Sequence, residues 1–376
     1  MQVKDIIDKL YSTTNASREE LLFLLDNLSE ENKEYLIEKA HRVAVENYSK
    51  NVYIRGLIEF TNYCIRDCKY CGIRKSNHKA DRYRLSIDEI LECADIGDKL
   101  GYKTYVLQGG EDSYFTDEKM VEIIKKIKEK YPGNAITLSL GERSYKSYKM
   151  MFNAGADRYL LRHETASKDL YESLHPNGSF ENRIQCLKNL KEIGYQVGAG
   201  FMVGLPNQSN KNLIDDLIFL KELNPHMCGI GPFIPHKDTP LANEKGGTLE
   251  KTITMLALVR LMLPKILLPA TTALGSVDPL GREKGLKAGA NVVMPNLSPT
   301  NVREKYSLYD GKICTGDEAA ECRVCIERRI NAAGFNLEIT RGDSLALSNT
   351  EKENINSKLV DNKNNGVKLD NIVLIN

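Results

Sequence analysis

Val52-Tyr-Ile-Arg-Gly-Leu-Ile-Glu-Phe-Thr-Asn62 is a β-branched run that breaks at once into Tyr63-Cys64-Ile-Arg-Asp-Cys68-Lys-Tyr-Cys71-Gly72. Such a run, closed by polar residues, reads as a strand. The pattern recurs near residues 104–110, 135–141, 157–165, 196–205, 227–235, 267–274 and 290–297, so that with 52–62 there are eight strands. Each is followed by turn residues and an amphipathic stretch of helical period. The starts lie 22 to 52 residues apart, comparable to the roughly 30 or more residues of a βαβ unit. A doubly wound sheet also accommodates eight strands, but residues 52–298 match the ~250 residues of a closed barrel. The expected fold is α/β, a (β/α)8 TIM-type barrel. Ser86-Ile-Asp-Glu89 opens one helix as a capping box, and Gly97, Gly155, Gly194 and Gly289 stand where helices should end.

Working outward, residues 1–50 read as an N-terminal helical segment, 51–298 as the barrel, 299–347 as a cysteine-bearing C-terminal extension, and 348–376 as an Asn- and Lys-rich tail whose composition leaves open whether it folds. Fifty-two basic residues against 51 acidic ones leave a charge of +1, which calls for neither nucleic acid nor a charged lipid surface. The first ten residues lack the apolar core of a secretory signal, and no apolar run reaches the ~20 residues of a membrane span. A cytoplasmic protein with no membrane partner is expected. Nine cysteines, an odd number, argue against a disulfide framework and for clustered ligands.

In a barrel of this kind the reacting groups gather at the carboxyl ends of the strands, where the βα loops converge. Those ends carry Cys64, then Gln108-Gly-Gly-Glu111, Ser139 and Glu142, and Arg162-His-Glu-Thr165. Later ones carry Met202, Ile230 to Pro232, Thr271 with Thr272, and Met294 to Asn296. Cys64, Cys68 and Cys71 form Cys-x3-Cys-x2-Cys on the loop leaving strand one. Thiolates suit iron–sulfur clusters and zinc alike. Three cysteines leave one iron of a 4Fe-4S cube open to a small molecule, which catalysis requires. The bland alternative is a structural zinc site completed by His78, although such sites are commonly built from spaced ligand pairs.

With Tyr70 before the third thiol, the motif resembles the defining Cys-x3-Cys-x-aromatic-Cys of the radical S-adenosylmethionine (SAM) superfamily. The resemblance implies that the open iron binds SAM and that reduction cleaves it to methionine and a 5′-deoxyadenosyl radical. It places Tyr70 near the adenine and the Gly109-Gly110-Glu111 turn at the SAM amino group. Longer strings, Gln108 to Asp112, Thr137 to Glu142, Arg158 to Ala166, Gly229 to His236, Pro269 to Ala273 and Ala290 to Asn296, are similar to the HydE family of FeFe-hydrogenase maturases, in the biotin synthase-like group. The likeness runs from about Leu57 to Cys325, with Gly109 standing where many members carry serine.

That resemblance implies that Ser139, Glu164, Arg183, Met202 and Ile230 help hold SAM, an acid and a guanidinium suiting ribose hydroxyls and a carboxylate. It implies that Gln108, Thr137, Arg162, Thr271, Thr272, Tyr306 and Tyr309 line the substrate or anion cavity. Blander readings stand beside these: a Glu164–Arg183 salt bridge that only fastens a loop, ordinary strand threonines at 271 and 272, and core filling by Met294. Cys314, Cys322 and Cys325 match an accessory iron–sulfur site, 2Fe-2S or 4Fe-4S, of some members, with zinc as the alternative. The implied substrate is a cysteine-bound iron carbonyl cyanide, an organometallic small molecule; the implied partners are the maturases HydG and HydF and an electron-donor protein.

His163 alternates with Arg162 and Glu164 and is expected to face outward, toward the helices. Cys93, Cys186 and Cys228 read as buried thiols. Rival reactions are a methylornithine synthase-like rearrangement and biotin synthase-like sulfur insertion; the latter needs a second cluster inside the barrel, where the strands offer only Cys228. A non-catalytic zinc scaffold is the rival outside enzymes. A nucleotide-binding oxidoreductase rests only on Gly198-x-Gly200-x3-Gly204, which misses the dinucleotide pattern.

Overall fold

The computed structural model describes residues 2–364. Strand one is split at Arg55 into β1 (Asn51–Ile54) and β2 (Gly56–Thr61). There follow β3 (Thr104–Gly109), β4 (Ala135–Ser139), β5 (Arg158–Leu160), β6 (Gln196–Ala199), β7 (Met202–Val203), β8 (Met227–Cys228), β9 (Gly231–Pro232), β10 (Val292–Val293) and β11 (Asn336–Glu338). A six-stranded parallel sheet runs β2-β3-β4-β5-β6-β8. Single bridges carry it round: Met227 to Leu267, Pro269 to Val292, and Leu57 to Asn296, while β10 pairs with β1. The ring therefore closes with eight parallel positions, as the eight runs imply.

Most of those runs are shorter than expected, and at two of them the cause is plain. The seventh is reduced to the bridges at Leu267 and Pro269, because Pro269 has no N–H to continue a ladder; the chain then enters the helix Thr272–Val277, with Thr271 at its N-cap. Thr271 and Thr272 are thus not strand residues. The fifth run breaks at Gly200 (φ +153°), where a Cβ would meet the Gly229 carbonyl oxygen at 2.1 Å.

Helix boundaries follow their caps. The Ser86 side chain accepts from the Glu89 N–H, and Glu89 accepts from the Ser86 N–H at 2.7 Å. Gly194 caps its helix in the left-handed conformation. Gly97 does not end a helix; it lies within Ile87–Lys99, where a Cβ would sit 2.7 Å from both Leu297 and Tyr105, so close packing explains it. The N-terminal helices Val3–Thr13, Arg18–Asp26 and Glu30–Tyr48 pack on the barrel's outside. The last covers Leu249–Met262, which is buried on nearly every side and so reads apolar all round.

Beneath the barrel, β11 pairs parallel to β1 and residues 339–344 cross the floor. Asp343 accepts from Arg158 Nη2 (2.5 Å), Gln196 Nε2 (2.6 Å) and Arg341 Nε (3.0 Å). Asp157 pairs with Arg341 (3.1 Å) and Lys128 (2.8 Å). Within the Asn- and Lys-rich tail, whose folding its composition leaves open, 349–364 forms a helix, and Glu351 meets His226 at 3.2 Å. The rest of that tail, 365–376, lies outside the described residues. No helix among the described residues is long and apolar enough to cross a membrane.

Burial alone would raise the Asp343 carboxyl, but Arg341 and Arg158 outweigh it and hold it well below the usual carboxylate range. A depressed folded pKa gives stability that is fully present above the unfolded value of ~3.9 and is lost as pH falls toward the folded one. Asp343→Ala leaves buried guanidinium groups uncompensated and is expected to cost about 3–5 kcal/mol in urea unfolding at pH 7. The deficit should shrink below about pH 3.9, where the unfolded carboxylate takes up its proton. A loss under about 1 kcal/mol at pH 7 contradicts the floor assignment.

Candidate active site

At the carboxyl ends of the strands a cavity of about 460 Å³ opens, and Cys64, Cys68 and Cys71 stand on its wall. Their loop is held from several directions: Ile65 N donates to Glu111 O (2.9 Å), Lys69 N to Leu174 O (2.9 Å) and Gly72 N to Leu308 O (2.9 Å). Asp67 pins the following turn by accepting from Arg74 Nε, Ser76 N and Ser76 Oγ. Gly110 fits where nothing larger does, since a Cβ there would lie 2.2 Å from Tyr63 O and 2.8 Å from Cys64 Cβ.

Burial raises all three thiols, Cys68 to about 12 and Cys71 further. Left alone they stay protonated; a bound cation holds them as thiolates. The Arg66 N–H already points at Cys64 Sγ (3.4 Å), a donor that suits thiolate. Among the described residues no three His, Cys, Asp or Glu side chains converge as around a single metal ion, and His78 is exposed. An iron–sulfur cube is gripped at separate corners by cysteine sulfur, and a set of three thiols sharing one wall of the cavity fits that demand.

Beside the thiols an ion network fixes the rim. Arg66 joins Glu111 (2.6 Å) and Glu142 (2.9 Å), and Glu142 in turn takes Arg183 Nε (2.7 Å). Burial would raise the Glu142 carboxyl, but Arg183 and Arg66 override it and lower it. Arg183 Nη1 also donates to Arg162 O (2.9 Å). Arg183 therefore fastens through Glu142 and not through Glu164. Glu164 has φ +66°, unusual for a residue with a Cβ, and its Oε2 has no hydrogen-bond partner. Neither do Nε and Nη2 of Arg162, whose Nη2 stands 3.4 Å from that oxygen. Backbone strain and an ion pair too long for a hydrogen bond, on a cavity wall, suit a place where a polar ligand completes the bonding.

Tyr70 OH lies 2.9 Å from His175 Nε2, while His175 Nδ1 meets Tyr171 O at 2.7 Å. A carbonyl can only accept, so Nδ1 carries the proton and Nε2 accepts from Tyr70. Tyr70 packs with Met202, Leu205 and Phe233.

Deeper in, Glu59 accepts from Lys312 Nζ (2.7 and 2.9 Å) and Asn296 Nδ2 (2.7 Å). Arg282 Nη2 reaches Thr272 Oγ1 (3.2 Å) and Cys314 Sγ (3.7 Å). Cys314, Cys322 and Cys325 line the far part of the same cavity, and Arg303 Nη1 is 3.9 Å from Cys322 Sγ. Arg282 and Arg303 thus place donors beside two of these three sulfurs, contacts that would suit metal-bound sulfur.

The cavity wall gathers Tyr70, Gln108, Gly109, Gly110, Glu111, Ser139, Arg162, Glu164, Arg183, Met202, Thr271, Thr272, Tyr306 and Tyr309. Thr137 is buried behind that wall with its hydroxyl unpartnered, and Ile230 lies beneath it, its carbonyl facing Thr271 Oγ1 at 3.5 Å. His163 points outward, packing on Phe219 and standing 3.3 Å from the buried Asp216; burial lowers it to about 3. Cys93, Cys186 and Cys228 are buried. Sequence reading missed Arg66, Glu59, Arg282 and Lys312 as site residues. Arg66 was visible between two cysteines; for the others no local pattern exists.

The family model described as the radical SAM superfamily matches residues 58–220. The chain is 47% identical over 334 residues to the [FeFe] hydrogenase maturase subunit HydE of Thermotoga maritima, covering 89% of this chain and 95% of that protein. It is 30% identical over 305 residues to 3-methylornithine synthase of Methanosarcina acetivorans, covering 81% and 86%. The crystal structure of methylornithine synthase (PylB) superposes with a TM-score of 0.78 at 26% identity, over 89% of this chain and 97% of that one. The barrel, the thiol triplet at its mouth and these likenesses agree: the chain belongs to the radical SAM superfamily, in the family of the HydE maturases.

Proposed function

We propose that this protein cleaves SAM reductively to a 5′-deoxyadenosyl radical and uses it on a sulfur-bearing organometallic substrate, a cysteine-bound iron carbonyl cyanide, during assembly of the FeFe-hydrogenase cluster. The observation that carries this is the single cavity lined both by the thiol triplet and by Arg162 and Glu164, which meet each other in a 3.4 Å ion pair without a hydrogen bond. When bound, a 4Fe-4S cluster supplies the electron and an open iron for the SAM amino and carboxylate groups.

The chain's own residues do the rest. Glu164 offers an acceptor for ribose hydroxyls, and Tyr70, oriented by His175, stands beside the adenine. Arg183, locked by Glu142, braces the loop that carries Arg162. Arg162, Thr272 and Gln108 hold the substrate farther in, and the apolar side chains of Leu57, Leu160 and Val293 keep water from the radical. The accessory cluster is assigned to Cys314, Cys322 and Cys325, with HydG and HydF as the neighbouring steps and an electron-donor protein as the source of reducing power. The site of action is the cytoplasm. A rearrangement like that of methylornithine synthase is the second reading, favoured by the PylB superposition.

Anaerobically reconstituted protein, reduced with SAM present, is expected to yield 5′-deoxyadenosine, and Cys68→Ala to yield none; no product from a fully loaded wild type contradicts the proposal. Arg162→Ala and Thr272→Ala should lower hydrogenase maturation at least about tenfold, the loss of a charged or buried hydrogen bond, while 5′-deoxyadenosine formation persists. Wild-type maturation by both variants would sink the cavity assignment, whereas 5′-deoxyadenosine formation by a wild type that supports no maturation would favour the rearrangement reading.

A further inference from the structure

Residues 63–84 hold seven basic residues against two acidic ones, in a chain whose overall balance is +1. Some of that excess is neutralised locally: Arg66 by Glu111 and Glu142, Arg74 by Asp67, Arg84 by Asp112 and Lys79 by Asp238. The remainder is not. Arg82 donates only to backbone carbonyls, those of Asn62, Ile73, Arg74 and Asn77. Lys69 and Lys75 have no carboxylate partner among the described residues.

The same stretch exposes apolar surface. Cys64 is flanked by Tyr63 (36% exposed) and Ile65 (50%), whereas Cys71 is followed by the buried Gly72 and Ile73. Tyr114 (48%) joins them from the loop after β3. Arg84 stacks on both rings, 3.8 Å from the Tyr63 centroid and 4.8 Å from that of Tyr114. Lys75 is tied to the other side, its N–H donating to Arg66 O (2.8 Å). The result is a rigid face, aromatic and aliphatic at its centre and basic around it, on the outside of the loop whose inner side presents the thiols. Aromatic residues and arginine are enriched at the cores of protein interfaces, and rim charges steer encounter.

We infer that this face, centred on Ile65 and bounded by Tyr63, Tyr114, Arg84, Arg82 and Lys75, docks an acidic one-electron carrier protein. The inference rests on the reductive chemistry proposed above. In that step the carrier gives up one electron, the cluster on Cys64, Cys68 and Cys71 gains it, and no proton or group passes between the proteins. The unpaired charge of Arg82 and Lys75 selects a negatively charged partner, and Ile65, exposed and adjacent to Cys64, brings that partner beside the cysteine loop. A brief redox encounter needs a contact of less than about 1,200 Å², which suits a patch of this size.

The test uses cluster-loaded full-length protein and an acidic 2Fe-2S ferredoxin as the probe, with Ile65→Asp, Lys75→Glu and, outside the cysteine loop, Tyr114→Asp. Calorimetry at low salt should show the Kd for oxidised ferredoxin raised about tenfold or more in each variant. 5′-Deoxyadenosine formation driven by reduced ferredoxin should fall in step, while that driven by dithionite stays within about twofold of wild type. Unchanged ferredoxin binding overturns the inference. So does an equal loss with both reductants, which would make the face a scaffold for the cluster, or a selective loss of binding to anionic vesicles, which would make it a lipid surface. Wild type that yields no 5′-deoxyadenosine with dithionite contradicts the radical SAM reading instead, and the ferredoxin Kd still decides the docking face.

Discussion

Strand one is held on both sides, by β3 along Gly56 to Thr61 and by Val292 to Asn296 where the ring closes. That closure turns a row of parallel strands into a barrel, and everything at the mouth depends on it. Without it the loop after strand one and the segment around Tyr306 to Cys314 would belong to opposite edges of an open sheet. With it, Gly72 N reaches Leu308 O and Lys312 reaches Glu59. The cysteine loop is thereby gripped from three elements distant in sequence. A cluster held by three protein ligands needs such external rigidity, because its fourth position must stay open for a small molecule.

The rim network shows how charge is divided between holding and receiving. Arg66, Glu111, Glu142 and Arg183 satisfy one another at 2.6 to 3.0 Å. Arg162 and Glu164, two residues apart on one strand end, line the same cavity and meet only in a 3.4 Å ion pair, with no hydrogen bond at Arg162 Nε, Arg162 Nη2 or Glu164 Oε2. A buried polar group left unpaired costs free energy, so its retention points to a ligand that completes it. The positive φ of Glu164 belongs to the same logic, strain accepted where a side chain must be aimed. At the opposite end, the carboxylates of Asp157 and Asp343 are fully engaged with Arg341, Arg158 and Lys128, so the floor supplies stability.

Much of this architecture was legible in sequence because its signals are local. The eight runs, the Ser86 capping box and the spacing of Cys64, Cys68 and Cys71 can each be read within a dozen residues. The failures have physical causes. Residues 267–274 look like a strand, yet Pro269 and the helix beginning at Thr272 leave only bridges. Gly97 looked like a helix end because sequence does not show the approach of Leu297 and Tyr105. β11 is three residues, Asn-Leu-Glu, too short to signal, and its partner lies far upstream. The pairing of Arg183 with Glu142 in place of Glu164, and of Lys312 with Glu59, exists only once the ring is closed.

The central claim is that the triplet at the mouth holds a cluster whose open iron takes SAM. Electron paramagnetic resonance of the reduced, reconstituted protein, with and without SAM and in the Cys71→Ala variant, addresses it most directly. The account predicts a 4Fe-4S signal that changes on adding SAM and is absent from the variant, leaving at most a signal from the Cys314 group that SAM does not alter. A SAM-sensitive signal that survives loss of Cys71, or a wild-type signal indifferent to SAM, would contradict it.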